Sequence, residues 1–95
     1  MSQPTLHLVA YDIEDDRERL RTGKLLEGFG RRVQKSVFEC LLDRRRRRDL
    51  ALALESLELD SGFVLVYRVS EQSPRAAFGR VPPQLPDDDE HAFVI

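Results

Sequence analysis

One cysteine, Cys40, occurs in the 95 residues, so no internal disulfide can form and no zinc-type Cys/His spacing exists. No apolar run approaches the roughly 20 residues that a membrane span needs. No signal-peptide pattern opens the chain. These absences lead to the expectation of a soluble, cytoplasmic protein without a membrane partner, with Cys40 a small core residue on a strand. There is no glycine-rich phosphate loop, no Cys/His nucleophile pair and no Ser elbow, which removes the chemistries those motifs carry. Internal repeats are missing too. Lys and Arg are absent after Arg80, where Asp87, Asp88, Asp89 and Glu90 stand instead.

That last asymmetry makes the net charge of −2 misleading. Residues 1–80 carry 15 basic and 13 acidic side chains, mostly with arginine as the cation. Arginine grips phosphate well because its planar fork binds two oxygens at once. A hydrophobic content of 41% excludes a wholly disordered chain. Ninety-five residues make one small domain with a modest core, for which association is a natural source of further stability.

Leu6 to Tyr11 has the length and bulk of a buried strand, apolar on both faces around His7. It ends at Asp12, and an acidic turn leads into a helix from about Asp15 to Phe29. Asp15 and Glu18 form a capping-box-like pair. Leu20, Leu26 and Phe29 give the helix a rough apolar stripe, and Gly28 with Gly30 marks its end. Gly23 inside it either costs helix stability or permits a close approach. Arg32 to Leu42 reads as one bent strand or as two strands turning near Lys35-Ser36. A second helix is expected from Arg44 to Leu57, with Leu50, Ala53, Leu54 and Leu57 on one face. Asp60-Ser61-Gly62 is a turn before the strand Phe63 to Val69, apolar on both faces except at Arg68. A proline-punctuated tail follows, with short strands expected at Ala76 to Val81 and Ala92 to Ile95. The order predicts an α+β sandwich with both helices on one sheet face. The uncovered face then packs on a second copy, giving a homodimer. The expected division is a domain over 1–81 and a Pro-rich acidic tail over 82–95.

Asp12 is the leading candidate for chemistry. A carboxylate at a strand's end is held rigidly beside solvent and binds Mg²⁺ or Mn²⁺ through oxygen. One carboxylate is a poor cage, whereas two meeting on a two-fold axis suffice with waters. Glu14, Asp15 and Asp16 suit turn and capping roles. Arg17, Arg19, Arg21, Arg31 and Arg32 cluster around the first helix, either as a salt-bridged face with Glu18 and Glu27 or as a phosphate surface. Five arginines, Arg44, Arg45, Arg46, Arg47 and Arg48, open the second helix against its own dipole, an arrangement that favours an anionic partner. His7 and His91 read as structural or incidental.

YDIEDDRERLR, then GRRVQKSVFECLL, then DSGFVLVYRV resemble, in order and spacing over roughly residues 5–70, the CRISPR-associated protein two family, the small nuclease-like partner of the spacer integrase. The resemblance implies a ferredoxin-like βαββαβ sandwich with an extra C-terminal strand or tail. It implies a homodimer in which two copies of Asp12 face each other around Mg²⁺ (or Mn²⁺). Tyr11, Arg19, Arg21, Arg32 and Phe38 correspond to further family residues implicated in activity. The implied partners are the CRISPR integrase (CRISPR-associated protein one), double-stranded DNA held by the helix-one arginines, and single-stranded RNA as a further substrate. Three readings follow: a metal-dependent endonuclease acting on RNA or DNA, a non-catalytic scaffold of the integrase complex, and a related virulence-associated RNase toxin.

Overall fold

A computed structural model describes residues 3–70 and 75–82. Its elements run β1 (Thr5–Ile13), α1 (Asp16–Glu27), β2 (Arg31–Gln34), β3 (Val37–Leu42), α2 (Arg44–Ser56) and β4 (Gly62–Arg68). The period-2 geometry of a strand sends alternate side chains of β1 to opposite faces. His7, Val9, Tyr11 and Ile13 are buried on one, while Leu6, Leu8, Ala10 and Asp12 stand on the other. Antiparallel pairing on both sides of β1 gives a four-stranded sheet in the order β2-β3-β1-β4. This is the predicted βαββαβ sandwich.

The buried face meets the helices. Val9, Phe38, Cys40 and Leu42 from the sheet join Leu26 of α1 and Leu50 of α2 in one core cluster. Cys40 sits fully inside it, and desolvation pushes its thiol up to about 11, despite an opposing contribution from Arg46. The stripe expected on α1 is corrected in one place. Leu20 is 67% exposed, and Thr22, Gly23 and Leu26 form the inward face instead. Gly23 answers to close approach: a Cβ there would stand 2.8 Å from Arg32 Nη2 and 3.3 Å from the Tyr11 hydroxyl.

Arg32 to Leu42 resolves into two strands, with Lys35-Ser36 as the turn and a register irregularity between Arg32 and Gln34. Gly30 and Gly62 sit where the backbone of a neighbouring strand leaves no room for a Cβ, against Glu39-Cys40 and Asp12-Ile13 respectively. The strand expected at Ala76 to Val81 does not form. Residues 75–82 are irregular, and Gly79 at φ +88° interrupts the extended backbone. The tail strand at Ala92 to Ile95 and the acidic run Asp87 to Glu90 lie outside the described residues.

Among the described residues nothing covers most of the second sheet face. Leu41, Phe63, Leu65 and Tyr67 stand exposed on it, at 67%, 54%, 45% and 53%, beside half-buried Leu6, Leu8 and Ala10. Arg75 reaches Glu39 on this face at 3.7 Å. No helix among the described residues is long and apolar enough to cross a membrane.

Candidate functional site

The sheet puts the neighbours Tyr11 and Asp12 on opposite faces of β1. Asp12 lies at the edge of the apolar face, opposite Phe63 of β4. Its carboxylate is exposed and makes no hydrogen bond or ion pair among the described residues. Tyr11 points to the helix side, where its hydroxyl donates to the Lys35 carbonyl at 3.2 Å and accepts from Arg32 Nη1 at 3.3 Å. Its ring stacks on Phe38 with centroids 6.4 Å apart. The Arg32 guanidinium lies 4.7 Å over the Phe38 ring, also donates to the Lys35 carbonyl, and has Glu27 at 3.8 Å. A cation over an aromatic face is attracted by the ring quadrupole. Tyr11, Arg32 and Phe38 are therefore one packed cluster, brought together by the β1-β3-β2 register, and Asp12 is turned away from it.

Arg19 and the acidic residues of the turn gather at the start of α1. Asp15 is the N-cap, accepting from the Glu18 amide at 2.9 Å. The reciprocal half of the expected capping box is absent. The Glu18 carboxylate instead accepts from the Asp60 amide at 3.0 Å, the Ser61 amide at 2.9 Å and the Ser61 hydroxyl at 2.6 Å. Ser61 Oγ in turn accepts from the Asp15 amide at 2.9 Å. These donors, led by the Ser61 hydroxyl, hold the Glu18 carboxyl below the usual carboxylate range. Arg19 folds back on the strand end, donating to the Ile13 and Glu14 carbonyls at 2.8 and 3.1 Å and pairing with Asp16. Arg17 and Arg21 point to solvent.

The five-arginine run divides. Asp43 caps α2 by accepting from the Arg46 amide at 2.7 Å. Arg46 stacks 4.2 Å over Phe29 and donates to the Gly28 carbonyl at 2.8 Å, so it fastens α2 to the end of α1. Arg44, Arg45, Arg47 and Arg48 remain at the surface. His7 reads as structural or incidental in the sequence, yet it is 2% exposed, and its Nε2 has no partner among the described residues. Only the register, which turns it inward beside Cys40, reveals this.

No group of three or more His, Cys, Asp or Glu gathers among the described residues. One unpaired carboxylate per chain fits one arm of a hard-cation site, and a second copy of Asp12 would have to supply another.

The profile described as CRISPR associated protein Cas2 matches residues 5–76. The chain belongs to the Cas2 family. It is 48% identical over 93 residues to CRISPR-associated endoribonuclease Cas2 1 of Chloroflexus aurantiacus, covering 94% of this chain and 98% of that one. It is 42% identical over 78 residues to CRISPR-associated endonuclease Cas2 2 of Thermus thermophilus, covering 81% and 87%. Among solved Cas2-like structures, a hypothetical protein, TT1823, from Thermus thermophilus matches with a TM-score of 0.75 and 40% identity, covering 83% of this chain and 95% of that one. Cas2 of Streptococcus pyogenes matches with a TM-score of 0.61 and 32% identity, covering 70% and 87%.

Proposed function

We propose that this Cas2 family member is a divalent-metal-dependent phosphodiester hydrolase of a CRISPR system, active as a homodimer. The observation that carries this reading is the position of Asp12, an unpaired carboxylate at the rim of an exposed apolar sheet face. Pairing two such faces buries Phe63, Leu65 and Tyr67 and brings two strand ends together. The Asp12 pair would hold Mg²⁺ or Mn²⁺, which supplies an activated water and a counter-charge for the phosphate. Arg19 fixes the turn that follows Asp12 through the Ile13 and Glu14 carbonyls. The Tyr11-Arg32-Phe38 cluster stiffens the strand from behind, so these three act as positioning residues. Solvent-facing Arg17 and Arg21, with Arg44, Arg45, Arg47 and Arg48, provide sequence-independent attraction for RNA or DNA backbone.

A second reading is favoured by the separation of Asp12 from that cluster, which leaves one reactive side chain per copy: a scaffold that holds duplex DNA for the integrase. The acidic tail over 82–95 would then dock on the integrase. One experiment tests both. Nuclease assays with Mg²⁺ or Mn²⁺ and an integration assay are run on wild type and Asp12→Asn. Loss of a metal-activated water should slow cleavage by orders of magnitude, since each ~1.4 kcal/mol of barrier is tenfold in rate. Cleavage unchanged in Asp12→Asn would overturn the hydrolase assignment, and integration that survives with cleavage abolished would assign the scaffold role.

A further inference from the structure

On the helix side, away from Asp12, a cavity opens between α2 and the outer edge of β4. It has two lobes, of about 140 and 540 Å³, which share His7, Arg44, Arg47 and Arg68 along their boundary. The smaller lobe is polar and includes Thr5 and Asp43. The larger is floored by Leu50, Leu54 and Val66. Its size lies within the roughly 300–1,000 Å³ of small-molecule sites.

Three independent features point to a ligand. Arg47 and Arg68 make no ion pair or side-chain hydrogen bond among the described residues, although they converge on one cavity. Arg44 and Arg47 stand in the first turn of α2, whose dipole adds positive potential beside them. His7 supplies the third. Its Nδ1 lies 2.9 Å from the Thr5 carbonyl, an acceptor only, so Nδ1 carries the proton. Nε2 is then a buried polar atom with no partner among the described residues, a costly state unless something in the cavity provides one.

We propose that this cavity binds a phosphorylated nucleoside. The phosphate sits at the shared boundary, where Arg44, Arg47 and Arg68 offer paired donors. A ligand hydroxyl, able to donate or to accept, pairs with His7 Nε2. The base lies over Leu54 and Val66, an apolar surface that inorganic phosphate would leave bare. The same chemistry can come from a free nucleotide or from the 5′-phosphorylated end of a strand. This site is separate from the Asp12 rim and does not depend on hydrolysis there.

Calorimetric titration of the intact protein with adenosine 5′-monophosphate tests it. Adenosine and inorganic phosphate should each bind at least tenfold more weakly than the monophosphate. Arg47→Gln with Arg68→Gln, both exposed and outside the core, should weaken the monophosphate at least tenfold, while Lys24→Gln on α1 leaves it unchanged. A 5′-phosphorylated oligonucleotide that outbinds its 5′-hydroxyl counterpart, with the advantage lost in the double variant, would assign the strand end as the natural source. No such advantage, with monophosphate binding intact, would assign the free nucleotide. Absence of monophosphate binding at millimolar concentration, or binding that the double variant leaves unchanged, would overturn the proposal.

Discussion

Phe38, a candidate site residue, would act without touching substrate. It is fully buried, with Tyr11 against its ring and Arg32 over it. Phe38→Ala should therefore cost about 3–5 kcal/mol of stability in urea unfolding. Phe38→Leu, which refills much of the space, should retain most of the cleavage rate per folded molecule. A Phe38→Ala variant as stable as wild type yet inactive would contradict the positioning role. Asp12 was legible in the sequence because a carboxylate closing an apolar run has few places to go but a strand's end. The Tyr11-Arg32-Phe38 cluster was not. It depends on which residues of three strands share a face, and a one-residue slip of register would scatter it. His7 was passed over for the same reason, since its inward orientation is a property of the register rather than of its neighbours in sequence.

Among the elements, the join between α1 and the turn before β4 carries the clearest pH signature. Glu18 is the acceptor for two amides and a hydroxyl, and its carboxyl is held below its ordinary value by them. A depressed folded-state value means that its contribution is present above the unfolded carboxylate range and disappears as pH falls through the folded one. Thermal melts of wild type should thus lose stability on acidification, and Glu18→Gln should be less stable at neutral pH with a shallower acid dependence. Parallel pH profiles for the two proteins would refute the assignment. Sequence spacing pointed to Glu18 as half of a capping box, because Asp15 and Glu18 satisfy that spacing whichever way the carboxylate turns. Ser61, 43 residues away, is what turns it. The split of Arg32 to Leu42 into two strands was likewise undecided, since Lys35-Ser36 lacks the glycine or asparagine that marks a tight turn. The second helix was readable almost to the residue from its apolar spacing, and the Asp43 cap seen in the structure accounts for where it starts.

At the scale of the molecule, the open sheet face governs behaviour. Strands apolar on both faces were visible in the sequence, and two helices suffice to cover only one. Sedimentation at micromolar concentration should show a dimer, and Leu65→Asp with Tyr67→Asp should shift it toward monomer. A wild-type chain that sediments as a stable folded monomer would exclude pairing through this face. Such a surface also links abundance to survival. A chain that hides Phe63, Leu65 and Tyr67 only by meeting its copy is, when newly made and scarce, a target for chaperones and proteases. Its half-life would lengthen as its concentration rises through the dimer dissociation constant. Expression level would then act as a threshold, below which the protein is cleared and above which it accumulates already paired, with both copies of Asp12 in place.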